Sequence, residues 1–379
     1  MRRTSILIAA LCAATVTSTG VAAASPGSAL QRDADAVVAD GSPGVLAELS
    51  TPRGKTKVRS GYGDLERESP VPWNAHFRIA SFTKTFVSAT ILQLTAEGRL
   101  SLEDTVDRWL PGVVAGNGND GRAITVRQLL QHTSGLYDYL LDLPWLEDEK
   151  GFLEHRYDKI SAPEAAKMAV SHAPNFQPGA RWEYSNTNYV VAGMVIEKVT
   201  GRSWRREVTD RIIRPLGMQE TSAPGTSPRI PAPHARGYHR FPVAGTNELG
   251  DWVDVTSLNP AAGGGADGEL ISTTEDGNKF LQALMTGKVL KPAQLAEMKK
   301  TVPVSDKAGY GLGLAWTATS CGGYWGHGGG WHGFATGSGV TENGKRSVMV
   351  TVNTVTPRTD SEHPGDPINT LIERALCDG

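Results

Sequence analysis

Apolar residues along the chain recur at two periods, and the switch between them near residue 80 organises the rest. Ala75, Phe77 and Ile79 alternate with His76 and Arg78, the period of a strand. From Ser81 onward Phe86, Ala89, Leu92 and Ala96 recur at three- and four-residue steps, the period of a helix, until Gly98 stops the run. The same reading predicts a helix over 29–39 and strands over 44–49, 57–62 and 73–79. It then predicts helices at 125–130, 161–172, 186–200 and 203–213. Ser161-Ala-Pro-Glu164 is a capping box with an early proline. Residues 222–268 are dense in Pro, Gly, Ser and Asn and read as a long irregular stretch lining a cleft. Helices at 274–285 and 292–300 follow, then strands at 311–317, 323–328, 333–340 and 347–354, and a closing helix at 367–375. Glu342-Asn343-Gly344 is a hairpin turn, which favours a mainly antiparallel sheet. Strands at both ends with helices between them predict an α/β (α+β) fold. Residues 25–85 and 270–379 would form a discontinuous sandwich domain and 86–269 a mostly helical one.

Composition changes this picture mainly at the N-terminus. Arg2 and Arg3, the apolar run 6–16 and Ala22-Ala23-Ala24 have the layout of a secretory signal, so residues 1–24 are expected to be removed and the protein secreted. Leu11 precedes Cys12 where a lipoprotein signal needs a small residue, so no lipid anchor is expected. Losing Arg2 and Arg3 takes the formal charge from −2 to −4, with no basic block for nucleic acid or anionic lipid. A monomer is expected. Outside the cell, the remaining Cys321 and Cys377 allow one intramolecular disulfide; the alternative is two buried thiols.

The candidate chemistry begins at Ser81. A serine hydroxyl needs a base beside it, and Lys84 lies one helical turn away on the same face. Burial would lower the pKa of that lysine and suit it to the task. Ser-x-x-Lys is also frequent by chance, and two other stretches give it weight. Tyr184-Ser185-Asn186 follows Pro178-Gly179 at a helix start, and His327-Gly328-Gly329 lies on a late strand. Alone, Tyr184 would read as a core aromatic, Asn186 as a helix cap and His132 as a helix-end histidine. His234, His239, His327 and His332 are scattered, without Cys or carboxylates at ligand spacing, so no metal site is expected. Gly328-Gly-Gly-Trp-His-Gly333 has the spacing of a dinucleotide loop, but no helix follows it.

In order and spacing, the three stretches resemble the motifs of the serine β-lactamase and penicillin-binding superfamily. The likeness is to its class C-like branch and within it to secreted D-alanyl-D-alanine carboxypeptidases. Ser134-Gly-Leu-Tyr-Asp138, Val191-Ala-Gly193, Gly309-Tyr-Gly-Leu-Gly-Leu314 and Cys321-Gly322 share the likeness, which extends over nearly all of the chain beyond residue 24. The resemblance implies an antiparallel sheet flanked by helices, an all-helical second domain and a cleft between them. It implies acyl transfer through a covalent acyl-enzyme, with no cofactor and no metal. Ser81 would be the nucleophile and Lys84 its base or tuning group. Tyr184 would be a proton relay with a phenol pKa lowered by the lysine, and Asn186 would hold Lys84 and the substrate amide. His327 would stand in for the lysine of the third motif. Gly328, Gly329 and Gly330 would border the substrate, and the backbone N–H groups of Ser81 and Gly330 would form the oxyanion hole. Expected partners are small D-amino-acid peptides or esters, with β-lactams as acylating inhibitors. An esterase or D-aminopeptidase on the same scaffold, or a penicillin-binding sensor, are the alternatives.

The chain departs from that pattern in one respect. Carboxypeptidases of this kind hold the substrate's C-terminal carboxylate with hydroxyls and an arginine, at positions occupied here by Gly328, Gly330 and Ala315. The expectation is a reactive Ser81 that no longer demands a free carboxylate, unless Trp331, Arg236 or Arg240 supplies a substitute anchor.

Overall fold

In the computed structural model, which describes residues 26–246, 248–355 and 366–378, the strands from the two chain ends meet in one sheet. The expected signal at 1–24 lies outside the described residues. From the N-terminal side come β1 (Gly44–Thr51), β2 (Gly54–Asp64) and β3 (Ser69–Pro70). From the C-terminal side come β4 (Val302–Ser305), β5 (Ala308–Tyr310), β6 (Ala315–Thr319), β7 (Gly322–Gly326), β8 (Gly329–Trp331), β9 (Phe334–Val340) and β10 (Ser347–Val352). The order is β4-β5-β6-β7-β9-β10-β1-β2-β3, with β8 paired to β9, and the pairings are antiparallel throughout. β1 and β10 close the sheet across the whole chain, from Val45 opposite Val352 to Ser50 opposite Ser347.

Alternation along β1 and β10 sends residues to two buried faces. Val45, Ala47, Leu49, Val348 and Val350 pack under α1 (Pro26–Ala39) and the closing helix Pro367–Cys377. Met349 and Val340 point to the opposite face, into a larger core with Phe280 and Leu284 of the helix Thr274–Met285. On that side lies α2 (Thr83–Ala96), buried almost all round, as its lack of a polar stripe requires. A Cys321–Cys377 disulfide ties the β6–β7 turn to the closing helix.

The structure corrects the expected strand at 73–79. Phe77–Arg78 alone forms a strand there, paired with Ile271–Ser272, and His76 adds an isolated bridge to His234. Its polar alternates do not face water: His76 and Arg78 are 6% and 1% exposed. The segment runs between the sheet and the irregular stretch, where Arg78 donates to the carbonyls of Pro228, Thr256 and Leu258. Residues 203–213 divide into an α-helix, Trp204–Val208, and a π turn, Thr209–Ile213. The irregular stretch holds two two-residue strands, Tyr238–His239 and Val253–Asp254, and the turn Ala262–Gly264 that walls the cleft.

Candidate active site

Ser81 does not begin an α-helix; it sits in a tight 3-10 turn, Ala80–Phe82, that feeds into α2. Ala80 has φ +44°, a left-handed conformation that residues with a Cβ rarely adopt, and this bend sets Ser81 at the cleft. Gly329 of β8 lies against the same turn. A Cβ there would come within 2.2 Å of the Ile79 carbonyl and 3.2 Å of the Ser81 nitrogen, so only glycine fits.

Lys84 is fully buried; its Nζ donates to Asn186 Oδ1 (2.8 Å) and the Asp267 carbonyl (2.6 Å) and lies 3.1 Å from Ser81 Oγ. Burial lowers its pKa to about 8, against the opposing pull of the Asp267 and Asp138 carboxylates. The geometry suits a neutral amine: two hydrogens go to the two carbonyl acceptors and the lone pair faces the Ser81 hydroxyl. Asn186 precedes the helix Thr187–Thr200 but makes no side-chain cap. Its Nδ2 and backbone N–H both donate to Asp138 Oδ2 (2.9 and 3.1 Å), which turns its Oδ1 toward Lys84.

Tyr184 is hydrogen-bonded to Ser81, and its ring centroid lies 5.0 Å from Lys84 Nζ. The lowered phenol pKa implied by the resemblance is not what this environment produces. Burial raises it well above the usual tyrosine range; the bond to Ser81 opposes that, and the Asp267 and Asp138 carboxylates add to it. The phenol therefore keeps its proton.

His327 does not line the cleft. Its Nε2 pairs with the Tyr310 hydroxyl (2.9 Å), its Nδ1 faces the Gly328 carbonyl (2.5 Å), and burial lowers its pKa to about 4. It is therefore neutral and cannot supply the charge of the lysine it replaces. Gly330 lines the cleft, whereas Gly328 and Gly329 do not. Arg236 is paired with Asp64 and Asp254, and Arg240 with the carbonyls of Leu249 and Gly250, so neither is a carboxylate anchor.

The cleft, about 180 Å³, is walled by Tyr139, Leu140, Pro260, Ala262 and Trp331 around Ser81, Tyr184 and Asn186. Its one carboxylate is Asp267, which the sequence reading missed. Asp267 Oδ2 accepts from Tyr139 Oη (3.0 Å), and burial raises its pKa to about 6, opposed by Lys84. The only sequence signal was an acid inside the glycine-rich run 263–268. His132 was read as a helix end, yet its ring stacks on Tyr184 with centroids 4.2 Å apart. Among the described residues no group of three or more His, Cys, Asp or Glu could hold a metal ion.

The sequence profile of the family described as Beta-lactamase matches residues 30–367. A crystal structure of a D-stereospecific amidohydrolase from Streptomyces sp. superposes with TM-score 0.84 at 41% identity, over 93% of this chain and 99% of that one. The D-amino acid amidase of Ochrobactrum anthropi SV3, complexed with L-phenylalanine amide, superposes with TM-score 0.78 at 31% identity, over 93% and 97%. Penicillin-binding protein 4* of Bacillus subtilis (strain 168) is 31% identical over 73% of this chain, which spans 60% of that protein's length. The shared fold and the family profile extend over the residues that build the Ser81 cleft, and the chain is therefore a serine hydrolase of the β-lactamase and penicillin-binding protein family.

Proposed function

We propose that this chain is a D-amino acid amidohydrolase, which transfers the acyl group of a D-amino acid amide or ester to Ser81 and then to water. One observation carries the reading: the described residues lining the cleft include one carboxylate, Asp267, and no arginine or lysine. Lys84, behind it, has its hydrogens directed at Asn186 and the Asp267 carbonyl. A substrate ending in a carboxylate finds no counter-ion here, whereas a free α-ammonium group meets Asp267. Gly328, Gly330 and Ala315, in place of carboxylate-holding side chains, support the same reading. So does the 41% identity to a D-stereospecific amidohydrolase.

In this mechanism neutral Lys84 takes the Ser81 proton as Oγ attacks the carbonyl carbon. The backbone N–H groups of Ser81 and Gly330 receive the oxyanion. Tyr184 gives its phenol proton to the leaving nitrogen, and the proton held on Lys84 replaces it. Water then cleaves the acyl-enzyme by the reverse transfers. β-Lactams would acylate the same Ser81. We also propose export, supported by the basic-apolar-small pattern of residues 2–24 and by the Cys321–Cys377 disulfide.

The test is kinetics on four substrates: D-phenylalanine amide, its L-enantiomer, its N-acetyl derivative and a D-alanyl-D-alanine peptide. A charge-assisted hydrogen bond is worth about 1.5–3 kcal/mol, so the free-amine D-amide should lead in kcat/KM by roughly tenfold to a hundredfold. A lead for the free-acid peptide overturns the proposal in favour of a carboxypeptidase.

A further inference from the structure

His132 does not line the cleft, yet three separate contacts hold it to Tyr184 and the two residues that flank it. Its carbonyl accepts the Glu183 N–H (3.0 Å) and its ring Nδ1 accepts the Ser185 N–H (3.2 Å). The two residues that bracket Tyr184 are thus bonded to the same histidine. Between these bonds the imidazole stacks on the phenol ring, with centroids 4.2 Å apart and planes 29° apart. No other orientation of the ring could satisfy both demands, because the acceptor nitrogen and the stacked face belong to one rigid plane.

The rest of its environment fits a residue held for that purpose. His132 has φ +57°, left-handed backbone that a residue with a Cβ seldom adopts, just after the helix Val126–Leu130. The bend aims its ring into the core, where it is 0% exposed. Two donors converge on Nδ1: the Ser185 N–H and Asn188 Nδ2, each at 3.2 Å. The ring proton therefore resides on Nε2. Among the described residues that buried Nε2 has no hydrogen-bond partner, and the ring packs against Tyr189 and Tyr310. A group that leaves a buried donor unpaired in a strained backbone is not explained by stability alone.

We propose that His132 is a positioning residue for the proton relay: it fixes the Tyr184 phenol against Ser81 and Lys84 through the stacked ring and the two flanking backbone bonds. The effect is on proton transfer, not on substrate binding. Its basis is acyl transfer at Ser81, shared by the proposed function, and it does not depend on which acyl group is carried.

The test uses the whole mature chain and ethyl acetate, whose alkoxide leaving group must take up a proton as it departs, with Ser81→Ala as the control for Ser81-dependent turnover. If Ser81→Ala keeps full activity, the acyl-enzyme reading fails and the His132 proposal falls with it. If Ser81→Ala is inactive, a double-mutant cycle decides on His132 alone. His132→Asn tolerates positive φ but has no aromatic ring to stack on Tyr184. It should lower kcat at least tenfold with KM changed less than twofold. In the Tyr184→Phe background the same substitution should cost less than twofold, because no relay is left to position. Equal losses in both backgrounds, or a loss in KM only, overturn the proposal. His132→Phe, which keeps a stacked ring but loses the acceptor, is read the same way. The 15N spectrum of the wild-type histidines is a check independent of variant folding: His132 should show an unprotonated Nδ1 between pH 6 and 8, and a protonated Nδ1 overturns the arrangement.

Discussion

If Lys84 is the base, the acylation rate must follow the deprotonation of one amine. Burial takes that amine from 10.5 to about 8. Only about 1% of it is neutral at pH 6, about half at pH 8 and nearly all above pH 9. Pre-steady-state acylation by a chromogenic ester, corrected for hydroxide hydrolysis, should therefore rise about a hundredfold from pH 6 to a plateau above pH 9. Tyr184 predicts a different curve: with its phenol raised above the ordinary tyrosine range, a tyrosinate base would keep the rate climbing beyond pH 10. Lys84→Arg, whose guanidinium does not deprotonate, should show neither the limb nor the plateau. The same titration must also appear in stability. The unfolded chain holds the Lys84 proton up to 10.5 and the folded chain releases it near 8, so unfolding takes up a proton between those values. Stability then rises with pH across that window, by about 1.4 kcal/mol per pH unit and about 3 kcal/mol in all, and the full cost of burying the cation is present below pH 8. Urea unfolding of wild type and Lys84→Met at pH 7, 9 and 10.5 reads this term as the difference between their pH slopes, with Asp267, whose pKa Lys84 holds down, as the one neighbour that also shifts. An acylation rate flat from pH 6 to 9, or equal pH slopes of stability in the two proteins, refutes the reasoning.

Three other outcomes follow from single contacts. Ser81→Ala should abolish the mass gain on incubation with penicillin, because it removes the bond-forming oxygen and little else; a persisting adduct would place the nucleophile elsewhere. Asp138→Ala leaves the Asn186 side chain and backbone N–H unpaired and frees the Asn186 amide to turn from Lys84. Acylation should fall at least tenfold and stability by about 1–3 kcal/mol, read by stopped-flow and by urea unfolding. Replacing Cys321 and Cys377 together by serine opens a loop with a sequence separation of 56, worth about 4 kcal/mol in the chain-entropy model. A thiol assay on the denatured, unreduced protein lacking residues 1–24, and so Cys12, should find no free cysteine.

Much of this protein can be read in short stretches of sequence, wherever the cause is local. Ser81 and Lys84 share a helix face because three residues make nearly one turn. Thr125 with Gln128, and Ser161 with Glu164, form the capping boxes their spacing allows. The hairpin between β9 and β10 turns at Gly344, whose φ is +68°. Other features depend on segments far apart in sequence. The alternation at 73–79 shows two kinds of residue, and only the packing reveals that both are buried. Asn186 has the residue type and place of a helix cap, yet Asp138, 48 residues before it, turns it toward Lys84. His327 occupies a lysine's place in its motif but lies behind the cleft, bonded to Tyr310. Asp267 and His132 carry no signature of their own, and only the packing brings them against Tyr139 and Tyr184. The pKa values that decide the chemistry, lowered at Lys84 and raised at Tyr184, lie furthest from the sequence. Helical and strand periods are set by near neighbours along the chain, but the free energy of a charge is set by how much water the whole fold removes from around it.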